Sequence, residues 1–355
     1  MKKQLVHLFV LCFVLLFSAS EATARESDVK SGRVKMLTSP PADLPVTVKV
    51  GLNFLHLVSI NEYDETFTAD IYLYSEWKDP RLAYDAPEGA FPLTYIDDDC
   101  TDKLKEIWWP DFEFVNCGKI DITNSYLAIH PDGTVRFNQG ITADFRNTFD
   151  YRKLPFDAQT LQIILSSFSW NNNVVVFKTL PDSVVAAKKM KAVYEEIRIL
   201  GLSVSDSSTV DHETPTPSGY SEFIVTLKIQ RAPLFYSYQV FFPLLVVIGL
   251  CCTVFYMQPQ DLGSRMNIVL TCVLVFIATK FLLNQDLPKI GYLTFIDKVF
   301  FIAYGFAGMV AISCVVEQRL YLRKSPHLRH VSKVARIAAP ALFLLACVIL
   351  LLFEI

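Results

Sequence analysis

Charge is scarce in this sequence. Only 19% of its 355 residues are charged against 52% hydrophobic, and the mean hydropathy of +0.32 is too apolar for an ordinary soluble protein of this size. A membrane is implied. The net charge of -3 leaves no basic excess, and no basic patch interleaved with aromatics is present to track a polyanion, so no nucleic acid partner is expected. The residues of enzyme chemistry are missing as well: no nucleophile is paired with a base, no glycine-rich loop suits a phosphate, and His56, His130 and His212 occur singly. No metal-ligand spacing appears, and neither a metal nor a cofactor is expected. Cysteine is nearly absent outside apolar runs. Cys12 lies in the leader, while Cys251, Cys252, Cys272, Cys314 and Cys347 fall where a thiol acts as a small hydrophobe. Only Cys100 and Cys117 remain; an exported domain permits a disulfide between them, but spacing alone does not decide it.

What is present divides the chain in two, behind a leader. Lys2 and Lys3, the apolar run from Leu5 to Phe17 and the small residues ending Ala22-Thr23-Ala24 pattern as an export signal over 1–24, too short to span a bilayer comfortably. Residues 25–232 alternate in the manner of strands. From Phe67 to Glu76 the odd positions are mostly apolar, which places Tyr72 and Tyr74 off the core face, and Phe223, Val225, Leu227 and Ile229 repeat the period. Pro131-Asp132-Gly133 reads as a turn between strands ending at Ile129 and starting at Thr134. So many short strands predict a sandwich. The acidic group Asp97, Asp98, Asp99 and Asp102 reads as a solvated surface loop rather than a divalent-ion site.

Residues 233–355 carry four apolar segments, about 235–256, 266–283, 293–316 and 333–353, each long enough to cross or nearly cross about 30 Å of hydrocarbon as a helix. With the N-terminal half exported, the linker from Glu317 to Arg336 is cytoplasmic, and its Arg319, Arg323, Lys324, Arg329, Lys333 and Arg336 obey the positive-inside rule. The C-terminus then faces outward. In the second segment Asn267, Thr271, Leu274, Ala278 and Phe281 recur at spacings of four, three, four and three, which puts them on one helix face. Asn and Thr are costly against lipid, so this stripe faces protein or water, with apolar constrictions at Leu274 and Phe281. A packed bundle helix and a pore lining both fit that pattern, and a pore needs several copies around an axis. Lys280, beside the stripe, is expected to snorkel outward, and Gly305 and Gly308, with Ala303 and Ala307, to permit close helix packing.

The run Phe149-Asp150-Tyr151-Arg152-Lys153-Leu154-Pro155-Phe156-Asp157-Ala158-Gln159 resembles the loop signature of pentameric ligand-gated channels of the Cys-loop type. Asn147 and Leu161 stand where animal receptors have the loop cysteines, as in bacterial members. The resemblance continues through Trp77-Lys78-Asp79-Pro80-Arg81-Leu82, Trp108-Trp109-Pro110-Asp111, Asn116, Pro243 and Leu287-Pro288-Lys289. Among bacterial members, Leu165 to Asn172 and the pore stripe are most similar to the Erwinia type. The resemblance implies an immunoglobulin-like extracellular β-sandwich followed by a four-helix membrane bundle, in a homopentamer around a central pore. Its partners would be four identical subunits, a small-molecule agonist, permeant inorganic ions and membrane lipid, in a plasma membrane that for a bacterium is the inner one.

By the same resemblance, ligand binds between subunits. Glu113, Val115, Phe168, Trp170 and Tyr220, the last in a mobile loop before the final strand, form the principal face, and Tyr72 the complementary one. Aromatic faces and a carboxylate attract ammonium groups, so an amine is the expected ligand. Asn267, Thr271, Leu274, Ala278 and Phe281 line the pore. Pro155, Phe156, Asp157, Arg231, Pro288 and Lys289 couple binding to gating, with Asp157 and Arg231 expected as a partly buried ion pair. Asp261 and Asp286 bracket the pore, Ser264 replaces the carboxylate that cation-selective relatives place before the arginine, and Gly263-Ser264 replaces the Pro-Ala of anion-selective ones. Cation selectivity is expected, the alternatives being an anion-selective or proton-gated channel of the same family, or a non-conducting membrane-anchored sensor.

Overall fold

The computed structural model describes residues 37–180, 197–210, 219–232, 234, 237–285 and 287–354. The leader expected over 1–24 and Asp286 lie outside them.

Ten strands form two sheets, because alternating apolar residues on each strand leave one face that only another sheet can cover. They are β1 (Val46–Asn61), β2 (Thr66–Lys78), β3 (Leu93–Ile96), β4 (Phe112–Phe114), β5 (Cys117–Ile129), β6 (Thr134–Arg146), β7 (Ala158–Ser167), β8 (Val175–Thr179), β9 (Ile197–Val210) and β10 (Gly219–Arg231). One sheet runs β3-β5-β6-β2-β1-β8 and the other β4-β7-β10-β9. All pairings are antiparallel except β1 with β8. On β2, Phe67, Ala69, Ile71, Leu73 and Trp77 are buried while Tyr72 and Tyr74 turn to the other face. On β10, Phe223, Val225, Leu227 and Ile229 are buried, so the strand period holds. Aromatic contacts lock the sheets together: Phe112 of β4 lies 6.2 Å from Phe137 of β6 and 5.8 Å from Phe177 of β8.

One expectation is corrected here, and one open question is answered. The acidic group opens a helix, α1 (Asp97–Glu106), rather than a loop. Carboxylates suit the positive end of a helix dipole, and Asp97 accepts a 3.0 Å hydrogen bond from the Ser125 amide that ties α1 to the sheet. Cys100 and Cys117 are both free; Cys100 points into the core, where burial and the Asp97 carboxylate push its thiol pKa up to about 11.

The membrane half consists of α2 (Phe242–Thr253), α3 (Leu262–Leu283), α4 (Phe295–Leu322) and α5 (Leu328–Glu354). A π-helical turn at Ser237–Phe241 precedes α2, beside Pro243, which lacks the amide proton a regular ladder needs. Four helices, over Tyr238–Tyr256, Leu262–Leu283, Phe295–Leu322 and Leu328–Phe353, are long and apolar enough to cross a membrane. Helix α4 continues to Leu322 and α5 starts at Leu328, so much of the expected linker is helical; backbone hydrogen bonds propagate past the point where side chains become charged. A Cβ at Gly305 or Gly308 would meet nothing within 4 Å, and it is Ala303 and Ala307 that are fully buried on α4.

The β5–β6 turn needs its glycine. Gly133 has φ +81°, and a Cβ there would lie 2.5 Å from the Asp79 carbonyl oxygen. Asp79 is itself fully buried and holds Arg81 at 2.7 Å, which fixes the bend after β2. Gly133→Ala is therefore expected to destabilise the protein by about 1–3 kcal/mol, seen as a lower midpoint in thermal unfolding of the purified protein.

Candidate functional site

Helix α3 has two unlike faces. Arg265, Val269, Cys272 and Phe276 are buried, and Phe276 meets Tyr304 of α4 edge-on at 6.0 Å. Asn267, Thr271, Leu274, Ala278 and Phe281 lie opposite, within an arc of about 80° at about 3.6 residues per turn. All five are exposed, Leu274 by 65% and Phe281 by 66%. The Thr271 hydroxyl donates to the Asn267 carbonyl at 2.8 Å, so the helix satisfies that group without any neighbour. Ser264 and Asp261 are also exposed at the N-terminal end of α3, where the Asp261 carboxylate caps the helix by accepting from the Ser264 amide at 3.4 Å. Lys280 does not snorkel: it pairs with Asp297 at the start of α4. Asp297 also closes a capping box with Thr294, so one carboxylate serves both helices.

Four of the residues expected to bind ligand gather at one end of the four-stranded sheet. Glu113 stands opposite Ser166 in the β4–β7 register, and Phe168, 68% exposed, follows β7 with its amide donating to the Asp111 carbonyl at 2.9 Å. Trp170 is half-buried, its ring 6.3 Å from that of the buried Trp108. The Asn172 amide donates to the Gly219 carbonyl at 2.9 Å, which brings this loop to the start of β10 and Tyr220. Tyr220 lies within β10 opposite Thr209 of β9, not in a loop, because the strand ladder reaches past it. Val115 is exposed just beyond β4. Glu113 also lines a cavity of about 530 Å³ with Lys105 of α1, Trp109 and Phe137, and that lining includes neither Phe168, Trp170 nor Tyr220. Tyr72 belongs to the other sheet, its ring 4.9 Å from that of Tyr74; burial first, then Tyr74 and Tyr126, raises its phenol pKa. Tyr72 thus lies on one sheet, and Glu113 and Tyr220 on the other.

The junction between sandwich and helices is built on Arg231, the last residue of β10. Its Nε donates to Asp157 Oδ1 at 3.1 Å and its Nη1 to Glu62 Oε1. Gln159 holds Asp157 from behind, donating at 2.6 Å to Oδ2. The Tyr151 hydroxyl donates to the Glu62 carbonyl at 3.1 Å. The expected partner Asp157 is in place, and Glu62, at the β1–β2 turn, is one that sequence reasoning missed: nothing in its neighbourhood marks it.

From this cluster the loop runs to the membrane. The Tyr151 amide donates to the Tyr292 hydroxyl at 3.0 Å, the Arg152 guanidinium sits 5.0 Å over the Tyr292 ring, and the Phe295 amide donates to the Arg152 carbonyl at 2.9 Å. Phe156, after the cis Leu154–Pro155 bond, meets Phe295 edge-on at 5.6 Å. Pro288 is half-buried and Lys289 exposed on the connection before α4; Tyr292 and Phe295, just beyond them, make the bridging contacts.

A strand sandwich joined by one charged and aromatic seam to four membrane helices, one of them with an open polar stripe, is the architecture of a ligand-gated channel subunit. Residues 35–233 match the model of the neurotransmitter-gated ion-channel ligand binding domain, and the chain belongs to that family, whose members are channels and not enzymes. It is 27% identical over 329 residues to a proton-gated ion channel of Gloeobacter violaceus, covering 89% of this chain and 86% of that one. It is 24% identical to the gamma-aminobutyric acid receptor subunits theta of Mus musculus and rho-3 of Homo sapiens, but spans only 44% and 64% of their lengths. The chain is a multi-pass membrane protein with an extracellular or periplasmic N-terminal domain, and a ligand-gated ion channel of the pentameric family.

Arg231 is 14% exposed, Glu62 20% and Asp157 2%, so removing the cation strands two carboxylates together. Arg231→Gln is expected to cost about 2 to 4 kcal/mol, read as a lower thermal midpoint, and the neutral triple variant with Glu62→Gln and Asp157→Asn to recover most of it.

Proposed function

We propose that the protein forms a homopentameric, cation-selective channel opened by a small extracellular amine. The observation that carries this reading is the open stripe of α3: a face bearing Asn267 and Thr271 beside Leu274 and Phe281, left exposed by the described residues, suits water at a common axis better than lipid. Leu274 and Phe281 serve as apolar gates, and Asn267 and Thr271 as the polar lower pore. Asp261 at the cytoplasmic end, with Asp286 beyond the outer end, favours cations, and Ser264 stands where the mouth narrows.

The ligand lies between subunits, with Glu113, Val115, Phe168, Trp170 and Tyr220 on the principal side and Tyr72 on its neighbour. Aromatic faces contribute about 0.5 to 2 kcal/mol each to holding an ammonium group. A ligand opens the channel by binding the open state more tightly than the closed one, and five sites multiply a modest preference per site. Pro155, Phe156 and Asp157, with Arg231, Pro288 and Lys289, transmit the change through the seam that ends at Tyr292 and Phe295.

A second reading, opening by protons, is favoured by the similarity to the proton-gated channel of Gloeobacter violaceus and by the carboxylate pair around Arg231. One series of recordings separates the two. In planar bilayers, the amine reading expects current on addition of amines at constant pH, a reversal potential that follows the cation gradient, and a loss of apparent amine affinity of tenfold or more, about 1.4 kcal/mol, in Trp170→Ala and Tyr220→Ala. Current evoked by acid alone supports the second reading, and a reversal potential following chloride defeats cation selectivity. Cysteines at Asn267, Thr271, Leu274, Ala278 and Phe281 are expected to react with water-borne thiol reagents; a stripe inert to them in every state defeats the pore.

A further inference from the structure

Among the described residues, the membrane half holds one ion pair that is wholly buried. The side chains of Arg265 and Glu317 are 0% and 1% exposed, and Arg265 Nη2 donates to Glu317 Oε2 at 2.7 Å. Arg265 Nε donates to the Val254 carbonyl at 3.2 Å, at the end of the first span. No hydrogen-bond partner meets Arg265 Nη1 or Glu317 Oε1 among the described residues. Such an arrangement is a poor way to hold helices together: both charges lose their hydration, polar atoms on each go unused, and apolar side chains of similar volume often do as well or better. Its use is better sought in what the charges do to their surroundings.

Position supplies that use. Arg265 sits in the first turns of α3, next in sequence to Ser264, which is exposed on the open side. The N-terminal domain is outside and the first span leads inward, so this end of α3 is at the cytoplasmic face. Arg265 points the other way, between α3 and α4, directly behind the lining of the mouth. Five copies make a ring of five buried cations in a medium of low dielectric, where the field of an unpaired charge reaches far. Glu317 converts each of these charges into a short dipole. The neighbouring Arg319 of α4 is exposed, which leaves its charge to water.

We propose that Glu317 is a specificity-determining residue for ion conduction: by neutralising Arg265 from behind, it keeps the cytoplasmic mouth from becoming electropositive and excluding cations. The inference rests on the channel reading above, with α3 lining the pore, but not on which ion the unmodified channel prefers.

The test compares reversal potentials under a salt gradient for wild type, Glu317→Gln, Arg265→Gln and the double variant. A change of roughly one kT in the potential at the mouth alters the occupancy of each ion about threefold in opposite senses, so Glu317→Gln should raise the anion-to-cation permeability ratio by about sevenfold. Arg265→Gln should lower the ratio, and the double variant should return to the wild-type value. A merely structural pair would not give shifts of opposite sign. An unchanged ratio in assembled Glu317→Gln channels, or shifts of the same sign in both single variants, overturns the proposal while leaving the channel reading intact. Where the all-mutant pentamer does not assemble, mixed pentamers with one Glu317→Gln copy carry the test: a smaller shift toward anions supports the proposal and a wild-type ratio overturns it. A wild-type protein that passes no current under amines or acid defeats the channel reading itself.

Discussion

Hydrocarbon offers no hydrogen bonds, and that constraint organises the membrane half of this protein. A helix carrying Asn267 and Thr271 cannot turn them to lipid at low cost. Its other face, with Val269, Cys272 and Phe276, is taken up by its own neighbours, chiefly α4. The stripe is then left exposed by the described residues, and in a pentameric family other subunits are available to face it across water. Helix α5 is the least covered by its own chain, 11% buried against 39% for α4, as suits a helix facing lipid.

The two halves obey different rules and meet at a narrow seam. The sandwich is held by interlocked aromatics such as Phe112, Phe137 and Phe177, close-packed and resistant to gradual deformation. The helices are held by apolar side chains, such as Phe276 against Tyr304, and by the Lys280–Asp297 pair. Between them, one loop carries a carboxylate to Arg231 and an aromatic ring to Phe295. The seam is made of directional contacts and joins the two close-packed bodies.

Strand period made the core of β2 and β10 legible residue by residue, and apolar length marked four segments, each overlapping one of the four long apolar helices. Local rules succeed there because the solvent boundary repeats along each element. They failed where a local pattern had two outcomes: the acidic run became the first turn of α1, Tyr220 proved to be part of a strand ladder, and the ends of α4 and α5 ran on through charged residues. Glu317 carried a signal that a linker assignment obscured, since a lone carboxylate at the end of an apolar run is a residue in search of a partner. Glu62 carried none, being one polar residue in a turn among several.

By itself the sequence determined which residues could not face lipid or water: the periods of two in the sandwich, the apolar spans, and the stripe from Asn267 to Phe281, all consequences of solvation read one residue at a time. Only the tertiary structure decided who meets whom: Glu62 with Arg231, Tyr292 with Tyr151, Glu317 with Arg265. The reason is that charge and hydrogen-bond partners are chosen by distance in space, and the chain brings residues 169 and 52 positions apart into contact through turns whose geometry no single segment contains.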